Sequence, residues 1–145
     1  MPTFSVSGTT AAIGTAAAYV TLGTTANRRA LVREIGMFAG TAVACFVAEG
    51  IPANTPVATT TLVPVAHDAA DAASTATLGT AWSTAPTVAT VFRRQTVLGA
   101  AVGAGTIWKL ALDERIIIAK SAFDMLWNNG GSTSAPLSVY FEYDE

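Results

Sequence analysis

Four short runs between Gly105 and Tyr143 limit what this chain can fold into. Thr106-Ile-Trp-Lys-Leu-Ala-Leu112 alternates large apolar residues with smaller or polar ones, and Arg115-Ile-Ile-Ile-Ala119 follows the turn-forming pair Asp113-Glu114. Phe123-Asp-Met-Leu-Trp127 comes next, then the turn Asn128-Asn-Gly-Gly131, then Leu137-Ser-Val-Tyr-Phe-Glu-Tyr143. Branched and aromatic side chains fit a pleated surface, while Gly and Asn supply turn backbone. The pattern therefore predicts antiparallel β-strands in succession.

The chain upstream carries the same pattern. Phe4-Ser-Val6 reads as a short first strand, Ser7–Gly14 as a small-residue loop, and Ala18–Leu22 as a second strand closed by turn chemistry at Gly23–Asn27. Ala30–Phe38 places Leu31, Arg33, Ile35 and Met37 on one face and Val32, Glu34, Gly36 and Phe38 on the other. Both faces are mixed, and Gly36 inside the run predicts a bulge or a close backbone approach. Ala42–Ala48 is its hairpin partner. Pro52 and Pro56 then break regular structure, and Val57–Val65, with Pro64 near its end, suits an edge strand. Ala66–Thr80 lacks an apolar stripe and reads as a loop or one or two helical turns. Ala81–Pro86 reads as a loop, Thr87–Val97 as a strand and Leu98–Gly105 as a small-residue loop. About nine strands separated by turns, with no alternation of strands and long helices, predict an all-β fold, an antiparallel β-sandwich of jelly-roll type.

A chain of 145 residues is the size of a single domain. Only 12% of its residues are charged, well below the usual fraction of about 25%. Either Thr, Ser, Ala and Gly cover the surface, or part of it is buried between copies. The formal net charge of −2 argues against a general nucleic-acid binder, which needs a basic face to neutralise phosphates. The start of the chain lacks a basic region followed by an apolar core, so no signal peptide is expected. No apolar run is long enough to span a membrane. The single Cys45 lies in Val43-Ala-Cys-Phe-Val47 and is expected to be a small buried hydrophobe.

Constellations that could carry chemistry are sparse. His67-Asp68 with Asp71 is the one cluster suggesting a metal or an acid–base pair. A closed zinc site needs more His or Cys, and the spacing is not that of a calcium loop. A solvated polar loop is the expectation. No Ser sits in a Gly-x-Ser-x-Gly turn to use His67. The glycines of Gly99–Gly105 precede a strand, whereas phosphate loops open a helix. Asp113 and Glu114 are adjacent in a turn and diverge. These residues predict no enzyme activity, no cofactor and no metal.

Arg28-Arg29 and Arg93-Arg94 hold half of the eight basic residues. They either balance Glu34, Glu49 and the acidic Glu142–Glu145 segment or dock onto an acidic protein surface, since Arg pairs bidentately with carboxylates. Trp108 and Trp127 lie in strand patterns and are expected in the core. Trp82, set among small residues, is the candidate for a contact surface or a sugar-stacking platform.

Several segments in order, Arg33-Glu-Ile-Gly-Met-Phe38, Ile51-Pro-Ala-Asn-Thr-Pro-Val-Ala-Thr-Thr60, Leu78-Gly-Thr-Ala-Trp-Ser-Thr-Ala-Pro86, Phe92-Arg-Arg94, Ile107-Trp108 and Leu137–Tyr143, resemble small structural proteins of tailed bacteriophages. The resemblance is to head decoration or cement proteins with a jelly-roll-like β-sandwich, and it covers most of Ala30–Glu145. It implies a protein made in the host cytoplasm and placed on the capsid surface of the virion. It also implies a homotrimer whose partner is the major capsid protein, with no nucleic-acid or membrane partner and no catalytic residue. Tail, baseplate or fibre proteins and lectin-like host-binding modules share these features. On the decoration reading, residues 1–10 are expected to form an extended N-terminal arm. In that arm Pro2, Thr3 and Phe4 would reach a neighbouring sheet edge. Arg28 and Arg29 are the second expected contact with the shell, and Trp82 is the third candidate.

Overall fold

The computed structural model describes residues 1–10, 17–87, 92–129 and 136–145. They form two antiparallel sheets packed face to face. In chain order the strands are β1 (Thr3–Thr9), β2 (Ala17–Gly23), β3 (Ala30–Ala39), β4 (Cys45–Gly50), β5 (Val57–Leu62), β6 (Val65–Ala66), β7 (Thr77–Thr84), β8 (Arg94–Leu98), β9 (Gly105–Lys109), β10 (Ile116–Ile118), β11 (Phe123–Asn129) and β12 (Leu137–Asp144). No helix occurs among the described residues.

The pairing is nested. β1 pairs with β12 and β3 with both β9 and β10 in the first sheet, while β2 pairs with β11 and β4 with β8 in the second. β12 also pairs with β3, and β11 with β4. The first sheet thus contains β9/β10–β3–β12–β1 and the second β2–β11–β4–β8, which is the strand order of a jelly roll. The segment between β4 and β8 extends both sheets on one side, with β6 beside β1 and β7 then β5 beside β2. β5 is an edge strand, as its composition predicts.

Inward residues alternate along the long strands, as period-2 geometry requires, except across one bulge in β3. Phe4, Val6, Leu22, Ile35, Phe141 and Tyr143 are among the buried side chains of the core. The Phe4 and Tyr143 rings stack at 5.8 Å. Cys45 is buried in the same core, and burial pushes its thiol up.

The mixed faces of β3 have a physical cause. Glu34 lies opposite Glu142, but Val32 lies opposite Tyr143, so Arg33 is the extra residue of a β-bulge. Ala30 and Val32 face the core before it, and Ile35, Met37 and Ala39 face the core after it. Gly36 is not the bulge. It is a close approach: a Cβ there would sit 1.9 Å from Cε1 of Tyr140, whose ring covers it.

Several expectations are corrected. Residues 1–10 are not a free arm. Thr3–Thr9 pairs in full register with β12, from Thr3 opposite Asp144 to Thr9 opposite Ser138, and β6 flanks its other side. Phe4 is fully buried, and the Pro2 carbonyl accepts the Glu145 N–H at 3.1 Å. The alternation of Phe4 and Val6 with Thr3, Ser5 and Ser7 suits a core strand better than an arm. The alanine-rich Ala66–Thr80 forms no helical turn. It begins in β6, bends through His67–Asp71, where the Ala70 N–H donates to Asp68 Oδ1 at 2.9 Å, and ends in β7. Ala81–Pro86 is not all loop, because β7 runs to Thr84. The expected strand Thr87–Val97 is β8 from Arg94, and residues 88–91 lie outside the described residues. So do the second half of the expected turn at 128–131 and the latter part of the expected loop at 7–14.

Candidate functional site

Four of the eight basic residues have carboxylate partners: Arg33, Arg93, Lys109 and Arg115. Arg28, Arg29, Arg94 and Lys120 have none among the described residues. Arg28, Arg29 and Lys120 converge on one concavity of about 390 Å³, whose lining also includes Asn27 and Leu31. The local backbone holds them there. Arg28 and Arg29 lie in the β2–β3 connection and Lys120 in the β10–β11 turn, and Thr24 ties the two together. Its N–H donates to the Ala122 carbonyl at 3.0 Å and its hydroxyl to the Ala119 carbonyl, while the Ser121 N–H donates to the Thr25 carbonyl at 3.0 Å. Ser121 takes a left-handed conformation, φ 53°, to make that turn. Glu145 also lines the concavity, but its carboxylate is occupied by the Thr75 N–H at 3.0 Å and by the Ser74 and Thr75 hydroxyls. The result is a cationic end on a chain of net negative charge, able to accept carboxylates or another anion.

The two arginine pairs of the sequence therefore separate. Arg93 serves charge balance, and Arg28-Arg29 remains available. Lys120 gave no sequence signal, because the topology, not the spacing, brings it beside Arg28 and Arg29.

Trp82 does not stand free in a loop. It lies half-buried in β7, its indole beside Gly79, and meets Tyr19 edge-on, with ring centroids 6.2 Å apart at 87°. Tyr19 lies opposite Trp127, which meets Phe46 at 5.6 Å and 66° and stacks on Phe92 at 5.6 Å. The aromatics thus cross the outer face of the second sheet over four adjacent strands. Trp127 belongs to this row and not to the inter-sheet core, whereas Trp108 packs against that core. Beside the row Ala48 and Met125 are fully buried outside the inter-sheet core. The segments on either side of β5 and β7 are tied together there: Asn54 Nδ2 donates to the Ala85 carbonyl at 2.9 Å, and the Thr87 N–H donates to Asn54 Oδ1 at 2.6 Å. Pro2, Thr3 and Phe4 contribute strand and core, not a contact arm. His67 lines a separate hollow of about 590 Å³ with Ser5, Ser7, Tyr140 and Glu142. Tyr140 donates to Glu34 there, and burial together with that carboxylate pushes its hydroxyl up to about 12. Asp68 is exposed and Asp71 half-buried in the turn that follows His67. Among the described residues no group of three or more His, Cys, Asp or Glu is placed to hold a metal ion.

One cluster escaped the sequence reading. Glu49 of β4 and Asp124 of β11 are buried completely or nearly so, on the core side of the second sheet. Arg93 spans them: Nε donates to Glu49 Oε1 at 2.9 Å, and Nη2 donates to Glu49 and to Asp124 Oδ1, the latter at 2.6 Å. Burial, and then the charge of Glu49, push the Asp124 carboxyl well above the usual carboxylate range. The available signal was parity, since both acids occupy positions where alternation points into the core.

No protein-family model matches this chain, and no curated protein or solved structure matches it significantly.

Proposed function

We propose that this chain is a structural protein of a tailed-bacteriophage virion, a decoration protein that binds and stabilises the assembled head shell. Its contact with the major capsid protein is made by the cationic end. The observation that supports this is the convergence of three unpaired cations, Arg28, Arg29 and Lys120, on one hydrogen-bonded end of a compact sandwich. Cations whose backbones are fixed at one end of the fold present concentrated positive charge to carboxylates, which favours docking over diffuse surface charge. A protein that binds assembled shell better than free subunits stabilises the shell by mass action and requires no cleft. The low charged fraction, 12%, suits a homotrimer that buries part of its surface between copies.

The test is binding to expanded head shells that lack the protein. Arg28→Glu/Arg29→Glu/Lys120→Glu should bind about tenfold or more weakly, and wild-type binding should weaken with added salt. Arg94→Glu, the fourth unpaired cation, should bind as wild type. Equal binding by the triple variant removes the cationic end from the reading, and failure of wild type to bind removes the shell. Sedimentation of the purified protein as a monomer at micromolar concentration removes the trimer.

A further inference from the structure

We propose that Glu49, Asp124 and Arg93 form a latch loaded with a single proton, which holds Phe92 and Arg93 against the second sheet. The fold supplies two carboxyls and one guanidinium at a site shielded from water. Arg93 can neutralise only one of them. Each carboxyl also keeps one buried oxygen without a hydrogen-bond partner, Glu49 Oε2 and Asp124 Oδ2. The two groups are neighbours, since Nη2 of Arg93 donates to both Glu49 Oε1 and Asp124 Oδ1. A proton on Asp124 makes it a neutral donor to Glu49 and leaves one carboxylate facing one guanidinium. Loss of that proton leaves a negative charge in the interior without a counter-ion, which is strongly unfavourable.

The charge would be relieved where the cluster can move. Arg93 is its one partly exposed member, with a side chain 39% exposed against essentially none for the two acids. It lies just outside β8, and its N–H donates to the Glu49 carbonyl at 3.0 Å. Phe92, its neighbour, stacks on Trp127. A hollow of about 100 Å³ touches both Arg93 and Asp124. No other charge facing the cluster can take the place of the proton. Arg94, opposite Glu49 in the ladder, forms no ion pair with either acid, and Lys120 of the β10–β11 turn lines the cationic concavity instead. The rest of the small hollow is apolar, including Ile51, Ile117, Ile118 and Phe123. With the proton in place Arg93 is clamped; without it Arg93 swings out and Phe92–Arg94 leaves the aromatic row.

Two measurements on the purified protein test this. Carbon-13 NMR should show the Asp124 carboxyl titrating above the range of the other carboxylates. Amide hydrogen exchange at Arg93–Thr96, corrected for intrinsic rates, should show protection falling by up to about tenfold per pH unit as pH rises above the ordinary carboxylate range, and levelling off once Asp124 has ionised in the latched state. Asp124→Asn, a permanent stand-in for the protonated acid, should keep its protection at every pH. Glu49→Gln provides the same test by a second route: one carboxylate then faces one guanidinium, and Asp124 should titrate lower with no loss of protection. An Asp124 resonance that titrates with ordinary carboxylates overturns the latch, and so does the same pH profile in wild type and both variants.

Discussion

Two arginine–carboxylate clusters in this sandwich solve opposite problems. On the outer side of the first sheet Asp144 is shared by two arginines. Arg115 Nη1 lies 2.7 Å from Oδ2 and Arg33 Nη1 3.3 Å from Oδ1, with the Thr3 hydroxyl donating to Oδ1 at 2.8 Å. Here cations are in excess, and solvent absorbs the surplus because the Arg33 side chain is 42% exposed. On the core side of the second sheet Glu49 and Asp124 share one arginine. Carboxyls are in excess there, water does not reach them, and a proton must make up the difference. The same two residue types thus make a static tie where water is near and a titrating group where it is not. Burial, more than pairing, decides which.

The contrast can be tested from its strongest point downward. Arg93→Ala leaves two buried carboxyls without a cation and should cost about 3–5 kcal/mol in chemical denaturation; a loss below about 1 kcal/mol would erase the distinction. Asp144→Ala leaves two arginines beside solvent and should cost about 1–3 kcal/mol. The pH dependence should also differ between the clusters. Because the Asp124 carboxyl is raised in the folded state, the native protein holds a proton that the unfolded chain has lost. Stability contributed by this group is therefore greatest below the unfolded value of about 3.9 and declines as pH rises, by up to about 1.4 kcal/mol per unit, until Asp124 ionises in the fold. Urea midpoints of wild type should show that decline and those of Asp124→Asn should not. Arg33→Ala, at the exposed edge of the Asp144 cluster, should change stability by about 0–1 kcal/mol, and added salt should shrink even that.

Strand chemistry made the all-β fold legible, and most strands fall where branched and aromatic runs meet Gly, Asn or Pro. What escaped was set by pairing across distance. The bulge at Arg33 shifts the face of half a strand, so simple alternation along Ala30–Phe38 gives two mixed faces, and of the two readings of Gly36 the close approach holds while the bulge lies at Arg33. Phe4 and Val6 were correctly placed in a strand, but nothing local shows that the strand lies between β12 and β6 and is not a free arm. Trp82 looked exposed because its neighbours are small, yet those neighbours let β5 and Tyr19 approach it. In the candidate site Arg28 and Arg29 were visible as a pair. Lys120 lies far away in sequence and joins them only because Thr24 binds one connection to the other.

The nested pairing also sets the order in which the chain can fold during synthesis. β1 leaves the ribosome first and β12 last, yet the two are neighbours along seven residue pairs. Until Leu137–Asp144 emerges, β1 has only the two residues of β6 to pair with, and one side of β3 stays open. The first sheet therefore cannot close before β12 has emerged. Refolding should fall in the slow range of roughly milliseconds to seconds expected when distant pairings dominate. During that interval the open sides of β1 and β3 are templates for pairing with other chains. Crowded synthesis of many copies is where this protein is most exposed to misassembly.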